Sequence, residues 1–325
     1  MRDFEYVRAE TPQQAIQRGS AERTRFIAGG TLLVDLLRLD VERPARLVDI
    51  NGLDWREIER NGDGLRVGAL VDNSTLADHP LVRERYPVLS QALLAGASPQ
   101  IRNMASVGGN LLQRTRCSYF RDVAVSACNK RNPGTGCAAR EGFSRMHAVL
   151  GVSEHCIAAH PSDMGVALAA LDATVEIEGP SGQRSVPVRA LHRLPEDHPE
   201  LETVLAAGEL VSHVRLPPAP RRSAYVKVRD RASYAFALVS AAVALEVDAG
   251  SIQRACVAFG GVGTKPWHAP EVEAALQGRP PERRSFEAAA ERALIGAVTT
   301  PHNEFKLKLA RRALVAALER ALEVA

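Results

Sequence analysis

The sequence predicts an α+β protein of two or three lobes, on three observations. Of its 325 residues, 46% are hydrophobic and 24% charged, the balance of a chain that buries a large core, and the length sits near the upper limit for a single core. The first fifty residues alternate short apolar strands with helices, whereas long strand-like runs dominate after residue 220. Proline and glycine clusters mark the joins, most plainly at Leu216-Pro217-Pro218-Ala219-Pro220. The expected lobes are 1–53, 54–219 and 220–325.

Taken in order, Thr11-Pro12-Gln13-Gln14 places a capping hydroxyl, a proline at the first helical position and a glutamine three residues after the cap, so a helix starts there and runs to about Arg18. A strand over 25–28 ends in the turn Gly29-Gly30-Thr31, a helix follows over 32–37, and 46–50 is a second strand closed by Asn51-Gly52. Alternation on either side of Asn61-Gly62-Asp63-Gly64 predicts a hairpin over 55–70. Ser74 is read as a helix cap, and 88–95 as a helix broken by Ser98-Pro99. Ser106-Val107-Gly108-Gly109-Asn110 is a second glycine turn. Ser162 caps a largely buried helix to Leu171, and a strand over 173–177 leads into Gly179-Pro180-Ser181-Gly182. Strands are expected at 225–228, in the run ending at Val247, and at 254–259. The chain closes with a helix from about His302 to Leu322, whose Phe305, Leu309, Ala313, Leu314 and Leu318 keep a helical period and face the core.

Forty-one basic against thirty-eight acidic residues leave a formal charge of +3 without a basic tail, which excludes nucleic-acid binding by charge alone. The longest apolar run, over 235–245, falls short of the roughly 18 to 20 residues of a membrane span. Met1-Arg2-Asp3-Phe4-Glu5 carries acids where an export signal has a cationic, then apolar, stretch, so a cytoplasmic protein is expected.

Four of five cysteines, Cys117, Cys128, Cys137 and Cys156, fall in one stretch, and Cys256 stands apart in an apolar run as a small buried hydrophobe. A chain of this length in a reducing compartment does not need disulfides, so a metal or cluster site is the better reading. The spacing lacks the C-x2-4-C knuckles of zinc sites and the C-x2-C steps of ferredoxins, so spacing alone leaves iron–sulfur, zinc and unlinked thiols open. The loop from Cys128 through Asn129, Lys130 and Pro133 to Cys137 is too polar to order itself by apolar burial. His147, His155 and His160 lie in or beside the stretch and are read as surface residues or as neighbours of the ligands, because four thiolates already complete a site.

A strand that ends in Gly29-Gly30 and opens a helix exposes backbone N–H groups suited to a phosphate, and Gly108-Gly109 repeats the device. Neither is a dinucleotide G-x-G-x-x-G or a P-loop, so a Rossmann cofactor and ATP hydrolysis lose ground.

Ala28-Gly29-Gly30-Thr31 together with Ser106-Val107-Gly108-Gly109-Asn110 resembles the FAD-binding medium subunit of the molybdenum hydroxylases, the xanthine dehydrogenase and carbon monoxide dehydrogenase family, and the likeness extends over nearly the whole chain. It implies a two-lobed FAD-binding domain of the vanillyl-alcohol-oxidase/PCMH type followed by a C-terminal α+β domain of the CO dehydrogenase flavoprotein type. Removing residues 114–157 joins Gln113 nearly to His160-Pro161-Ser162-Asp163 and restores the uninterrupted loop of the wider family, so the cysteine segment is an insertion whose ends should meet. That insertion resembles the four-cysteine segment of periplasmic aldehyde oxidoreductase flavin subunits, which implies that Cys117, Cys128, Cys137 and Cys156 hold a [4Fe-4S] cluster.

By the same resemblance, Ile27, Ala28, Gly29, Gly30, Thr31, Leu32 and Leu33 wrap the FAD pyrophosphate, and Ser106, Val107, Gly108, Gly109 and Asn110 form a second cradle. Gly96 approaches the cofactor, Asp163 bonds a ribityl or sugar hydroxyl, Lys227 and Gln113 lie near the flavin ring, and Val211 packs on it. The implied partners are a large subunit with the molybdenum cofactor, a small subunit with [2Fe-2S] clusters and an external electron acceptor; a signal on a partner would carry a folded complex to the periplasm. The competing readings are a free-standing flavin oxidase with its own substrate pocket and a zinc-stapled binding module.

Overall fold

The computed structural model describes residues 1–323 and contains three sheets. The first is a small parallel sheet in which Arg46–Asp49 lies between Glu5–Arg8 and Thr24–Ile27. Helix Pro12–Gly19 connects its outer strands, capped by Thr11, whose Oγ1 accepts from Gln14 N at 3.3 Å. The edge strand Glu5–Arg8 was not foreseen: its Glu, Tyr, Val and Arg are mostly solvent-facing, so it carries no apolar alternation to read.

The second sheet is antiparallel, with Gly64–Gly68 and Thr174–Gly179 flanking Leu210–Leu216, and hairpin partners Ile58–Asn61 and Gly182–Pro187 at the edges. Its apolar face packs on helices Pro87–Ala95 and Asp163–Ala170 through Leu65, Val67, Val175, Val214, Leu89 and Leu168, which form the largest core. Within this lobe Asp72, not Ser74, caps helix Asn73–Asp78: its carboxylate accepts from Thr75 N at 2.8 Å, while the Ser74 hydroxyl bonds Asn103. Aspartate accepts more strongly than a hydroxyl, and it sits one residue before the helix, where the orphan amides point.

The third sheet pairs Val239–Asp248 with Arg222–Val228 and Ser251–Gly260, and the short strand Trp267–His268 extends it. The closing helix, Phe305–Glu323, lies across it and buries Ala310, Leu314, Ala317 and Leu318. It starts three residues later than expected, because Thr300 to Glu304 form turns in which Asn303 Oδ1 accepts from Thr300 N at 2.7 Å.

Among the described residues no helix is long and apolar enough to cross a membrane.

Candidate functional site

A cleft of about 1590 Å³ is lined by residues of the parallel sheet, of the antiparallel sheet with its helices, and of the stretch 227–236. That exceeds the roughly 300–1,000 Å³ of sites for drug-sized ligands and suits an extended one. One rim is the turn after strand Thr24–Ile27. Gly30 takes φ +70°, a left-handed conformation that glycine adopts without cost, and the chain then enters helix Leu33–Arg38. Among the described residues the amides of Gly29, Gly30, Thr31 and Leu32 have no acceptor within the chain, so four N–H groups fan out at a helix start. From behind, Asn51 Nδ2 donates to Ala28 O at 3.2 Å and to Asp49 Oδ1 at 2.7 Å. Burial pushes the Asp49 carboxyl up, but hydrogen bonds from Tyr6 and Asn51 outweigh it and hold the group below the ordinary carboxylate range.

The second glycine turn meets the same cleft differently. It is the short helix Val107–Leu111, capped by Ser106 Oγ, which accepts from Gly109 N at 3.2 Å. The amides of Val107, Gly108 and Asn110 are likewise committed, to Val71 O, Ala69 O and Ser106 O. This turn therefore offers the cleft close backbone approach and the side chains of Ser106 and Asn110, while the first offers bare N–H groups. Gly108, Gly109 and Asn110 line the cleft; Val107 points into the core beneath it.

Ile27 through Leu33, Gly96, Gln113, Asp163, Val211 and Lys227 all line the cleft as well. Gln113 Nε2 is tied back to Asn110 Oδ1 at 2.6 Å. Asp163 is the first residue of a helix capped by Ser162, and both its oxygens are occupied: Oδ1 accepts from Tyr225 Oη at 2.5 Å and Oδ2 from Lys227 Nζ at 2.7 Å. Burial, then the Asp163 charge and hydrogen bond, push the Tyr225 phenol well above its ordinary pKa, so it stays a donor. Lys227 Nζ also donates to Ala95 O at 3.0 Å, next to Gly96. The pair is 4% and 9% exposed, so removing one partner strands the other charge. Lys227→Met is expected to cost about 3–5 kcal/mol in urea unfolding of the apoprotein, and Lys227→Met with Asp163→Leu considerably less. Equal losses for the two proteins would remove the pair from the account of stability.

All four clustered cysteines are free thiols and line a second, small cavity. Cys128 and Cys137 face each other across an antiparallel bridge that closes the polar loop between them. Burial and the neighbouring sulfurs raise the Cys117 thiol to about 12 and the Cys156 thiol to about 11, with nearby backbone N–H groups, and Lys130 at Cys156, opposing. Without an electrophile these groups stay protonated at neutral pH. Among the described residues no three His, Cys, Asp or Glu side chains converge as ligands of one metal ion. Lys130, Cys156 and Ala158 line both the cavity and the cleft and so form a common wall.

The ends of the cysteine segment meet, Thr115 Oγ1 donating to Ala159 O at 2.9 Å. Its far half is bound to the C-terminal part: Val149 and Leu150 enter that core, and their amides donate to Val262 O. The three histidines divide. His147 is buried with Nε2 3.1 Å from Cys117 Sγ, His155 is half-buried beside Asp197 and lines the thiol cavity, and His160 packs edge-on against His192 at the cleft.

Sequence reasoning missed a chain of charges on the cleft wall. Arg114 bridges Glu42 and Glu202 at 2.5 Å each, and Lys130 reaches Glu202 at 2.8 Å. Burial opposes ionisation of Glu202, yet Arg114 and Lys130 hold its carboxyl below the ordinary range. The only sequence signal was an arginine and a lysine at the start and middle of the cysteine segment.

A glycine turn with free amides on a small parallel sheet, opening into a long cleft shared with a larger antiparallel lobe, defines a flavoprotein of the two-lobed FAD-binding class. Residues 2–219 match the family described as FAD binding domain in molybdopterin dehydrogenase, and residues 223–321 match the CO dehydrogenase flavoprotein C-terminal domain. The chain is 50% identical to the aldehyde oxidoreductase FAD-binding subunit PaoB of Escherichia coli (strain K12), over 99% of both chains. It is 29% identical to the glyceraldehyde dehydrogenase medium chain of Sulfolobus acidocaldarius, over 85% of this chain and 82% of that one. Its fold is that of a chain in the solved CO dehydrogenase of Oligotropha carboxidovorans, with a TM-score of 0.78, 23% identity and coverage of 100% and 99%. The chain belongs to the FAD-binding medium subunits of the molybdopterin dehydrogenases, a family of oxidoreductase subunits.

Proposed function

We propose that this chain is the FAD- and [4Fe-4S]-carrying electron-transfer subunit of a molybdenum-containing aldehyde oxidoreductase of the xanthine dehydrogenase type. The observation that carries the reading is the wall of Lys130, Cys156 and Ala158 common to the cleft and the four-thiol cavity, across which a cluster would lie directly beside a flavin. The free amides of Gly29 to Leu32 would take the pyrophosphate, with Ile27, Ala28 and Leu33 flanking them, and Ser106 to Asn110 would form the facing side. Lys227 would hold positive charge near the ring, Asp163 fixes that lysine, and Gly96, Gln113 and Val211 complete the walls. Bound FAD accepts electrons singly and releases them in pairs, so it couples one-electron clusters to a two-electron acceptor.

For the cluster, the donor set is all thiol, with Cys128 and Cys156 buried and Cys117 and Cys137 partly buried. Zinc with Zn–S bonds of about 2.3 Å would need four sulfurs within about 3.8 Å of one another. Among the described residues no three such side chains converge as ligands of one metal ion, and a cubane of iron and sulfide would hold its four thiolates farther apart. Residues 114–157 also contain seven Lys and Arg against three Asp and Glu, which offsets the negative charge of four thiolates around a cluster. That relatives are subunits and medium chains supports partners: a large subunit bearing molybdenum, where substrate is oxidised, and a small [2Fe-2S] subunit that delivers electrons.

Anaerobic determination of iron, acid-labile sulfide, zinc and FAD tests the reading. About four iron and four sulfide per FAD are expected. Stoichiometric zinc, or flavin without iron, would sink the cluster assignment.

A further inference from the structure

Cys117, which lines the thiol cavity, has a buried histidine against its sulfur that lines neither that cavity nor the flavin cleft. We propose that His147 is a positioning residue of the cluster, donating its Nε2–H to the Cys117 thiolate and thereby raising the cluster's reduction potential. The inference rests on the cluster reading above.

His147 Nε2 lies 3.1 Å from Cys117 Sγ, inside N–H···S range, and the residue is 4% exposed. A thiolate bound to iron carries no S–H, so the contact forms only if the proton sits on Nε2. That tautomer leaves Nδ1 bare, and Nδ1 is indeed a buried atom without a partner among the described residues.

The ring is held in this orientation from the backbone outward. His147 N donates to Ser144 O at 3.0 Å, and His147 O accepts from Lys306 Nζ at 2.8 Å. Lys306 is fully buried, carries its second bond to Gly261 O at 2.6 Å and belongs to the C-terminal helix. The Tyr119 ring lies tilted 6.0 Å from the imidazole on the remaining side. An N–H donor at a ligating sulfur draws off thiolate charge, and the reduced cluster, with one more electron, gains most from it.

The test compares full-length wild type with His147→Leu, which cannot donate, and His147→Gln, whose side-chain amide can. Iron, sulfide and FAD are counted on each, and the cluster midpoint is read by anaerobic potentiometric titration followed by electron paramagnetic resonance. The expected result is unchanged iron and flavin in all three, a midpoint in His147→Leu below wild type by more than the scatter of replicate titrations, and recovery of at least half the shift in His147→Gln. A wild-type midpoint in His147→Leu would overturn the inference, as would loss of iron in that variant, which would make the histidine a ligand or a structural prop. Absence of iron from the wild type would instead remove the cluster reading itself.

Discussion

On the cluster reading, Cys128→Ser is expected to lose iron and sulfide and to keep the flavin. Cys128 is 7% exposed, sits against Phe120 and Leu36, and faces Cys137 across the bridge that closes the polar loop. A serine oxygen is a poor iron ligand and the buried hydroxyl finds no replacement charge there, so iron and sulfide are expected to fall from about four per chain to below about one. The turn that would hold the pyrophosphate is built from residues 27–33 and backed by Asn51, none of them in the cysteine segment, so FAD content is expected to stay within about a third of wild type. Joint loss of iron and flavin would show that the common wall, not the glycine turn, governs flavin retention.

Gly29→Ala does the opposite. A Cβ there would lie 1.6 Å from the backbone oxygen of Met104, which belongs to the other lobe and cannot rotate away as a side chain could. The turn has to back off and its amides lose their aim. Overpacking of about 1–3 kcal/mol, felt where the cofactor binds, corresponds to FAD affinity lower by about five- to more than a hundredfold. Equilibrium dialysis of apoprotein against FAD checks it, with the circular dichroism of the variant expected to match wild type; undiminished affinity would move the cofactor's phosphates elsewhere in the cleft.

What could be read in the sequence follows from how local each signal is. The Gly29-Gly30 turn was legible because the strand, the glycines and the helix are contiguous, and the hairpin at residues 58–68 for the same reason. The cysteines were legible as a group by their clustering, yet their convergence on one cavity depends on the Cys128–Cys137 bridge and on the docking of residues 148–150 far downstream. The Arg114 bridge was illegible because Glu42 and Glu202 lie 72 and 88 residues from it. Lys227 and Asp163 were each singled out, but their mutual bond spans 64 residues and only the fold reveals it. Strand Glu5–Arg8 escaped because an exposed edge strand needs no apolar pattern.

Within the chain, a proline-rich joint near residues 217–220 is the covalent passage between the FAD-binding part and the C-terminal part, and joints of that composition ordinarily let two bodies swing. Here the cysteine segment leaves the first body at Thr115, threads Val149 and Leu150 into the second, is clamped there by Asn303 and Lys306, and returns at Ala159. Helices Pro87–Ala95 and Asp163–Ala170 also share a core with Tyr225, Ala242 and Ala258 of the third sheet. The insertion is thus a strap: with the proline joint and that shared core it makes a third tie between the two parts, and three ties that do not lie on one line leave no axis to turn about.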